Sequence, residues 1–374
     1  MQIRKIDTRN RDDARQFIDL PYRLYRKSPY WVPPLRSEME LVLDRDKHPF
    51  YQHSEADFFV AESEGQVVGR IAALHNRNYC AHHHEQTGFL YYFDAADDQQ
   101  AANGLFDAAV GWARERGLDL LLAGKGIIRS NGAGLLVEGF DDPYMPIGIL
   151  YNYPYYQTLF DSYGFTKEND HLSGMLLKSA DIGERVHGIA ERVLEQGGFS
   201  IMACKTKKEM YPWIPRVEKV HHETFHTNAG YYPTTPAEFE LLARGFISLA
   251  DPALIKLVMK GDEIAGFAMT FPNIAPALRA IRGRLWPLGW ILVMRAQKTS
   301  KVIDGSAIGL LPQYQGRGAN ALLYNEIEKT LRARNIERIN IIQVDERNAR
   351  SKADHETMGV KFHLRHRTYR LPIG

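Results

Sequence analysis

The chain has 374 residues, 44% of them hydrophobic and 25% charged; that balance belongs to an ordinary folded protein and excludes a disordered, collagen-like or coiled-coil chain. With 47 Lys and Arg against 45 Asp and Glu the formal charge is only +2, so a nucleic acid is not an expected partner. The longest purely apolar stretch, Leu285–Met294, is about half of the ~20 residues that cross a bilayer; the polar start Met1–Asp7 has no apolar signal core, and the two distant cysteines, Cys80 and Cys204, read as reduced thiols of a cytoplasmic protein.

Asp57–Ser63 and Gln66–His75 are apolar, β-branched-rich runs joined by Glu64-Gly65, and they predict a β-hairpin. Gly88–Phe93 predicts a third strand. Gln99–Arg116 predicts a helix, apolar at Ala102, Leu105, Phe106, Ala109, Val110 and Ala113, the spacing of one buried face. Leu118–Leu122 follows as a buried strand. Between it and a short helix at Pro154–Tyr163 lies a Gly-rich loop, Ile127–Tyr153, whose length predicts a functional loop or lid. Gly164-Phe165 re-enters a strand. A linking helix with polar faces, Ile182–Glu195, ends at Gly197-Gly198 before the strand Phe199–Cys204. The expected domain boundary falls near Lys178, dividing the chain into 1–178 and 179–374.

The second half repeats the order. Ala253–Lys260 and Glu263–Phe271 predict strands joined by Gly261-Asp262; Ser306–Leu311 is a strand, Ala319–Arg334 a helix, Arg338–Val344 a strand, and a short helix near Ala349–Met358 precedes Gly359-Val360. The long helices share letters: Ala102-Asn103 and Leu105 match Ala319-Asn320 and Leu322 at an offset of 217. The expected class is therefore α/β with a mixed sheet, built as two tandem domains.

The most informative segment is Leu310-Leu311-Pro-Gln313-Tyr-Gln315-Gly316-Arg317-Gly318-Ala319. A strand runs into Pro312, a loop with two glycines follows, and a long helix opens. Glycines let backbone approach a ligand closely. The unpaired N–H groups of the first helical turn, with the helix dipole, favour an anion such as a pyrophosphate, and Arg317 adds a positive charge. No GK[ST] follows, so this is not a Walker loop, and the third glycine of a dinucleotide fingerprint is missing. The corresponding stretch of the first half, Asp94-Ala-Ala-Asp97-Asp98-Gln99, is acidic and without glycine, and its carboxylates would repel a pyrophosphate.

Gln-x-x-Gly-x-Gly between a strand and a helix resembles the acyl-CoA pyrophosphate loop of the GNAT N-acyltransferase superfamily. The stretch Asn348-Ala-Arg-Ser351, followed by a short helix ending at Gly359-Val360, is similar to the same family's next element. Ser28-Pro-Tyr-Trp31-Val-Pro33-Pro34, Lys47-His48-Pro49-Phe50, Val68-Gly69-Arg70-Ile71 and Leu136-Val137-Glu138-Gly139-Phe140-Asp141 resemble phrases of a bacterial two-domain GNAT group that includes ceramide synthase-like N-acyltransferases. The resemblance implies a second domain that binds acetyl-CoA or a longer acyl-CoA as co-substrate. Leu310, Leu311, Gln313, Gln315, Gly316, Arg317, Gly318, Ala319, Asn348 and Ser351 would bind the cofactor, with Gln313 through Ala319 gripping its pyrophosphate and Asn348 beside its pantetheine arm. The first half becomes a degenerate GNAT-like domain without a phosphate loop. The family often carries a tyrosine seven residues after that Asn, as acid toward the leaving thiolate; here His355 stands there, a residue able to do the same work. Asp304, Glu223 and Glu346 are candidate bases for the amine, with Asp304 first because its strand leads to the cradle. The backbone N–H groups of that strand are candidates to polarise the thioester carbonyl.

Other signals compete. His222-Glu223-x-x-His226 matches the H-E-x-x-H of zinc hydrolases, but the extended motif's glycine and third histidine are replaced by Ala229 and Tyr232, so no metal is expected. Cys80-Ala-His82-His83-His84-Glu85 reads as a solvated loop. Ile264–Ile303 holds no Asp or Glu but carries Arg279, Arg282, Arg284, Arg295, Lys298 and Lys301 around Trp286 and Trp290; this suits either an inserted core helix or peripheral contact with an anionic membrane at its inner face. The sequence reading is an acyl-CoA-dependent N-acyltransferase acting on an amine, amphiphilic or lipid-like in one version. Its rivals are a non-catalytic CoA- or lipid-binding protein and the zinc hydrolase.

Overall fold

A computed structural model of the chain describes residues 1–127, 132–179, 184–228 and 230–374, and the chain divides into two units. The first comprises Met1–Leu172 with Ala275–Leu292 and Leu364–Gly374, the second Ser173–Ile274 and Val293–His363. This differs from a single break at Lys178, because two later segments return to the first unit.

The first unit begins with β1 (Gln2–Lys5), α1 (Arg11–Leu24), α2 (Arg36–Leu43), β2 (Glu55–Ser63), β3 (Gln66–His75), α3 (Arg77–His83), β4 (Thr87–Ala95) and α4 (Gln99–Arg114). It continues with β5 (Leu120–Ala123), β6 (Leu135–Glu138), α5 (Tyr155–Tyr163) and the start of β7 (Thr166–Leu177). The expected hairpin forms as β2–β3, turning at Glu64 and Gly65, both at positive φ. Strands β1 to β4 pair antiparallel, and β4 then runs parallel to β5, from Thr87 with Leu120 to Leu90 with Ala123. The apolar face of α4 lies in the core: Phe106 is fully buried and packs on Phe93, Phe160 and Phe165. Burial of such a ring contributes about 2–3 kcal/mol.

Within the Gly-rich loop expected at Ile127–Tyr153, residues 128–131 lie outside the described residues, and Leu135–Glu138 form β6 rather than loop. Their partners are Arg365, His366 and Arg367 near the C-terminus, while Tyr369–Pro372 pair with β5. Beside this pairing sits Asp170, 1% exposed, held by Arg367 at 2.9 Å and by Arg365 and Lys167 at 3.1 Å. Burial alone would raise its carboxyl; the bonds from Arg367, Lys167 and Arg365 outweigh it and hold it at about 2. The folded value lies below the unfolded one, so this stabilisation is complete above about pH 4 and is lost as pH falls through about 2. Asp170→Asn is expected to destabilise by about 2 kcal/mol at pH 7, with the difference closing between about pH 4 and 2; urea unfolding of the two proteins across that range checks it.

The second unit takes the end of β7 and then α6 (Glu184–Gln196), β8 (Phe199–Met202), α7 (Lys207–Met210), α8 (Ile214–Phe225), α9 (Pro236–Leu249), β9 (Ile255–Lys260) and β10 (Glu263–Pro272). The chain then gives α10 (Ala275–Ile281) and the start of α11 (Gly289–Thr299) to the first unit, and the second unit resumes with the end of α11, β11 (Val302–Leu310), α12 (Ala319–Ala333), β12 (Arg338–Asp345), α13 (Ala349–Thr357) and the start of β13 (Lys361–Pro372), whose remainder belongs to the first. The linking helix expected from Ile182 is described from Glu184; Ile182 and Gly183 lie outside the described residues. Strands β8, β9, β10 and β11 pair antiparallel, and β11 runs parallel to β12. Leu322, Leu323 and Ile327 of α12 pack with Val258, Ala268, Ile303 and Ile339.

Each unit thus repeats one plan: an antiparallel hairpin, a third strand, a helix and a parallel return. The echo extends to an irregularity. β4 carries one extra residue at Tyr92-Phe93 opposite Ile71, with Tyr92 at φ 50°. β11 carries Ser306 as an extra residue between the pairs Gly305–Thr270 and Ala307–Met269. Bulges re-aim a strand and end its regular pairing.

Candidate functional site

The cradle grows from the end of β11. The Leu311 N–H donates to the Ala265 carbonyl at 2.9 Å, Pro312–Tyr314 make one tight turn, and Gln315 Nε2 donates back to the Leu310 carbonyl at 3.1 Å. The loop is therefore tied to its strand at both ends. Gly316 and Gly318 adopt φ of 73° and 82°, a region costly to other L-residues. Gln313, Gln315, Gly316 and Arg317 are exposed, and Ala319 is buried. Gly318 begins α12, and no side chain caps that helix. Its first-turn N–H groups are therefore open to an anion. α4 of the first unit is the contrast: Asp98 accepts from the N–H of Gln100 at 2.9 Å and of Ala101 at 3.1 Å. There the helix start is already occupied by the protein's own carboxylate.

Next to the cradle, β11 and β12 part. Their parallel pairing runs from Val302 with Arg338 to Gly305 with Ile341, yet β11 continues to Leu310 and β12 to Asp345. The Ser306 bulge begins where the pairing ends, and β12 has its own irregular residue, Gln343 at φ 49°. Two diverging strand edges offer backbone N–H and C=O groups to an extended amide-bearing chain between them. Asn348 opens α13 by accepting from the Ser351 N–H at 3.0 Å, so one of its expected ligand atoms caps the helix.

His355 lies one turn further on and is half-buried. Its Nδ1 bonds the Ser351 carbonyl at 2.7 Å; that nitrogen is the donor, which leaves Nε2 for other work. His355 and Tyr324 both line an apolar pocket that also takes in Gly305, Ile341 and Met358. Tyr324 was not singled out from sequence. Its signal is the spacing Tyr324, Ile327, Glu328, Leu331, one face of α12 and all in the pocket wall. Burial pushes its hydroxyl up to about 12, so it stays protonated and able to donate.

The expected bases fare differently. Asp304 is 3% exposed and accepts from Asn273 Nδ2 at 3.0 and 3.2 Å and from Asn340 Nδ2 at 2.7 Å. Its position opposite Asn340 lies in the paired part of the strands, before they diverge. The carboxylate ties β11 to β12 and to the end of β10, and to act as a base it would have to do so while holding both amides. Asp304→Ala, which removes the shared acceptor of two buried amides, is expected to cost about 2–4 kcal/mol. Asp304→Asn keeps an acceptor oxygen and is expected to retain turnover per folded molecule within about tenfold, whereas loss of a base would cost ~100-fold or more. Melting curves with rate measurements on both variants check this.

Glu223 lies on α8, part-exposed, 3.9 Å from Lys219. Glu346 is half-buried in the turn after β12. In the H-E-x-x-H stretch, His222 bonds the Tyr231 hydroxyl and His226 Nδ1 the Glu223 carbonyl at 3.0 Å. Ala229 of the extended motif lies outside the described residues. Among the described residues no three His, Cys, Asp or Glu side chains are grouped to hold a metal ion.

In the first unit the equivalent gap is closed. Beyond its pairing with β5, β4 meets Tyr156, whose hydroxyl accepts the Ala95 N–H at 2.9 Å and bonds the Tyr25 hydroxyl at 2.8 Å. Tyr25 also donates to Asp94 at 2.9 Å, and Arg70 pairs with Asp94 at 2.6 Å. Trp31, Tyr151 and Tyr153 pack around Tyr25. The sequence predicts an acidic stretch without glycines as the obstacle; the structure adds an aromatic plug and a capped helix.

Residues 217–360 match the pattern of the Acetyltransferase (GNAT) family. The chain is 25% identical over 372 residues to Protein YghO of Escherichia coli (strain K12), covering 97% of this chain and 94% of that protein. It is 29% identical over 295 residues to Bacterial ceramide synthase of Caulobacter vibrioides (strain NA1000 / CB15N), covering 78% of this chain and 75% of that protein. A solved tandem GNAT protein from the clavulanic acid biosynthesis pathway superposes with a TM-score of 0.60 at 13% identity, over 100% of this chain and 98% of that one. A GCN5-related N-acetyltransferase from Sphaerobacter thermophilus gives 0.53 at 14% identity, over 100% and 95%. These two show that the fold is shared.

Proposed function

We propose that the chain is an acyltransferase of the GNAT family, whose pattern residues 217–360 match, and that its second unit binds an acyl-CoA and passes the acyl group to the amine of an amphiphilic, lipid-like acceptor. The observation that carries the cofactor half is the uncapped start of α12 behind Gly316 and Gly318, beside strands that diverge after Gly305 and Ile341. The pyrophosphate meets the loop from Gln313 to Ala319, and the pantetheine arm lies between the diverging edges near Asn348 and Ser351. The thioester then falls by the Ser306 bulge, where a backbone N–H polarises its carbonyl. The neutral amine attacks that carbon and loses a proton, directly or through water, to a carboxylate such as Glu346 or Glu223. The C–S bond breaks, and the CoA thiolate takes a proton from His355.

The acceptor half leans on the likeness to a protein named ceramide synthase and on apolar surface described below; an amine of that kind is met at a membrane. The test is competition between acceptors. Purified protein with acyl-CoA is offered a long-chain amino alcohol, a polyamine and an amino acid, with amide product read by mass and CoA release by a thiol reagent. Amide formed chiefly from the long-chain amine is the expected result. Acylation of the polyamine or amino acid alone would overturn the lipid-like acceptor and leave the acyltransferase.

A further inference from the structure

We propose that the segment Leu285–Met294 docks the protein onto an anionic lipid surface. Trp286 is 83% and Leu288 66% exposed, and Trp290, Ile291, Leu292 and Met294 are each between 44% and 47% exposed. Elsewhere among the described residues large apolar side chains reach such exposure only singly, at Met1, Tyr144, Leu177, Leu194 and Tyr211. A contiguous apolar patch of this kind marks a binding surface, where scattered ones do not.

The patch is tied down by close packing and hydrogen bonds. Gly289 is packed so closely that a Cβ there would lie 2.2 Å from the Arg284 carbonyl oxygen. The Trp290 N–H donates to the Leu285 carbonyl at 3.0 Å, and the Trp290 indole donates to the Pro287 carbonyl at 3.0 Å. At the other end, the Gly283 carbonyl accepts the Arg36 N–H at 3.0 Å. The side chains are presented outward on a braced turn and helix rather than left by a loose loop.

Charge selects the occupant. Arg282, Arg284, Arg295 and Lys298 are exposed around the patch, and no Asp or Glu occurs from Ile264 to Ile303 to neutralise them. Tryptophan with flanking cations suits the headgroup level of an anionic leaflet. A second copy of the chain, meeting patch to patch, would bring the same cations face to face. The helix lies on the surface and does not cross it: α11 has 11 residues, about 16 Å of helix against about 30 Å of hydrocarbon. For its purpose, delivery of an amphiphilic amine, the proposal rests on the acceptor reading above; for its test it does not.

The test is flotation of the full chain with phosphatidylcholine vesicles with and without phosphatidylglycerol, at low and high salt. Binding is expected only with phosphatidylglycerol, and to fall at least tenfold at 1 M salt. Trp286→Ser/Trp290→Ser is expected to reduce it tenfold or more, with melting temperature and CoA affinity unchanged. Arg284→Gln/Arg295→Gln should lower the partition about twenty-fivefold, about fivefold for each cation removed. Absence of flotation at low salt, equal binding to neutral vesicles, or a concentration-dependent dimer that the Trp variant abolishes would each overturn the proposal. Flotation that persists in a protein acylating only soluble amines would keep the docking surface and remove the lipid-like acceptor instead.

Discussion

Replacing Gly316 with aspartate is expected to abolish acyl-CoA binding and leave the fold intact. A Cβ at Gly316 meets nothing within 4 Å, so the side chain has room. Its φ of 73° costs an L-residue about 1–2 kcal/mol locally, small for a protein of this size. The carboxylate, however, stands where the proposed site receives the pyrophosphate. At roughly 5 Å and an effective dielectric near 20, each pair of like charges costs about 3 kcal/mol, more than a hundredfold in affinity. Gly318 is the poorer choice: its Cβ would lie 2.7 Å from Ile189 and 2.8 Å from Val193 of α6, so a substitution there displaces a helix as well as a ligand. Calorimetry should find one CoA per parent chain and none for Gly316→Asp. Equal affinity in both proteins would remove the cradle assignment. Two CoA per parent chain would place a second site in the first unit, against the Tyr156 plug and the Asp98 cap.

The single-site expectation separates what local sequence can state from what it cannot. Both hairpins, α4 and α12 follow from short-range signals: alternation, a Glu-Gly or Gly-Asp turn, and apolar residues at helical spacing. The cradle was legible for the same reason, since its strand, glycines and helix are consecutive. β6 was not, because Leu135–Glu138 is too short to show a period and its partner, Arg365–Arg367, lies more than two hundred residues away. The return of Ala275–Leu292 and Leu364–Gly374 to the first unit is hidden likewise. Asp304 shows a subtler limit. Its place on the strand before the cradle was read correctly, but the amides of Asn273 and Asn340 that enclose it come from two other strand ends. An acid's role depends on what surrounds it, and that is a tertiary fact. The plug of the first unit is similar: Tyr25, Tyr151, Tyr153 and Tyr156 are ordinary tyrosines until two distant segments bring them to the end of β4.

His355→Ala is expected to lower kcat about a hundredfold or more while acyl-CoA affinity stays within about twofold. The bond from Nδ1 to the Ser351 carbonyl fixes the ring and puts the proton on Nδ1. Nε2 therefore carries a proton only as the imidazolium, and it is this proton that would pass to the leaving thiolate as the C–S bond breaks. Tyr324 is the internal competitor. It lines the same pocket, and burial keeps its hydroxyl protonated far above neutral pH. Tyr324→Phe removes only an oxygen from an apolar wall, so packing survives and the variant reports on proton donation alone. If His355 is the acid, Tyr324→Phe should keep turnover within a few fold, and His355→Tyr, which restores a hydroxyl at the same place on α13, should recover part of the loss. If Tyr324 is the acid, the pattern inverts: Tyr324→Phe loses turnover, and His355→Ala keeps it. Stopped thiol release under single-turnover conditions separates the two, because the affected step is departure of the thiolate rather than binding of the cofactor.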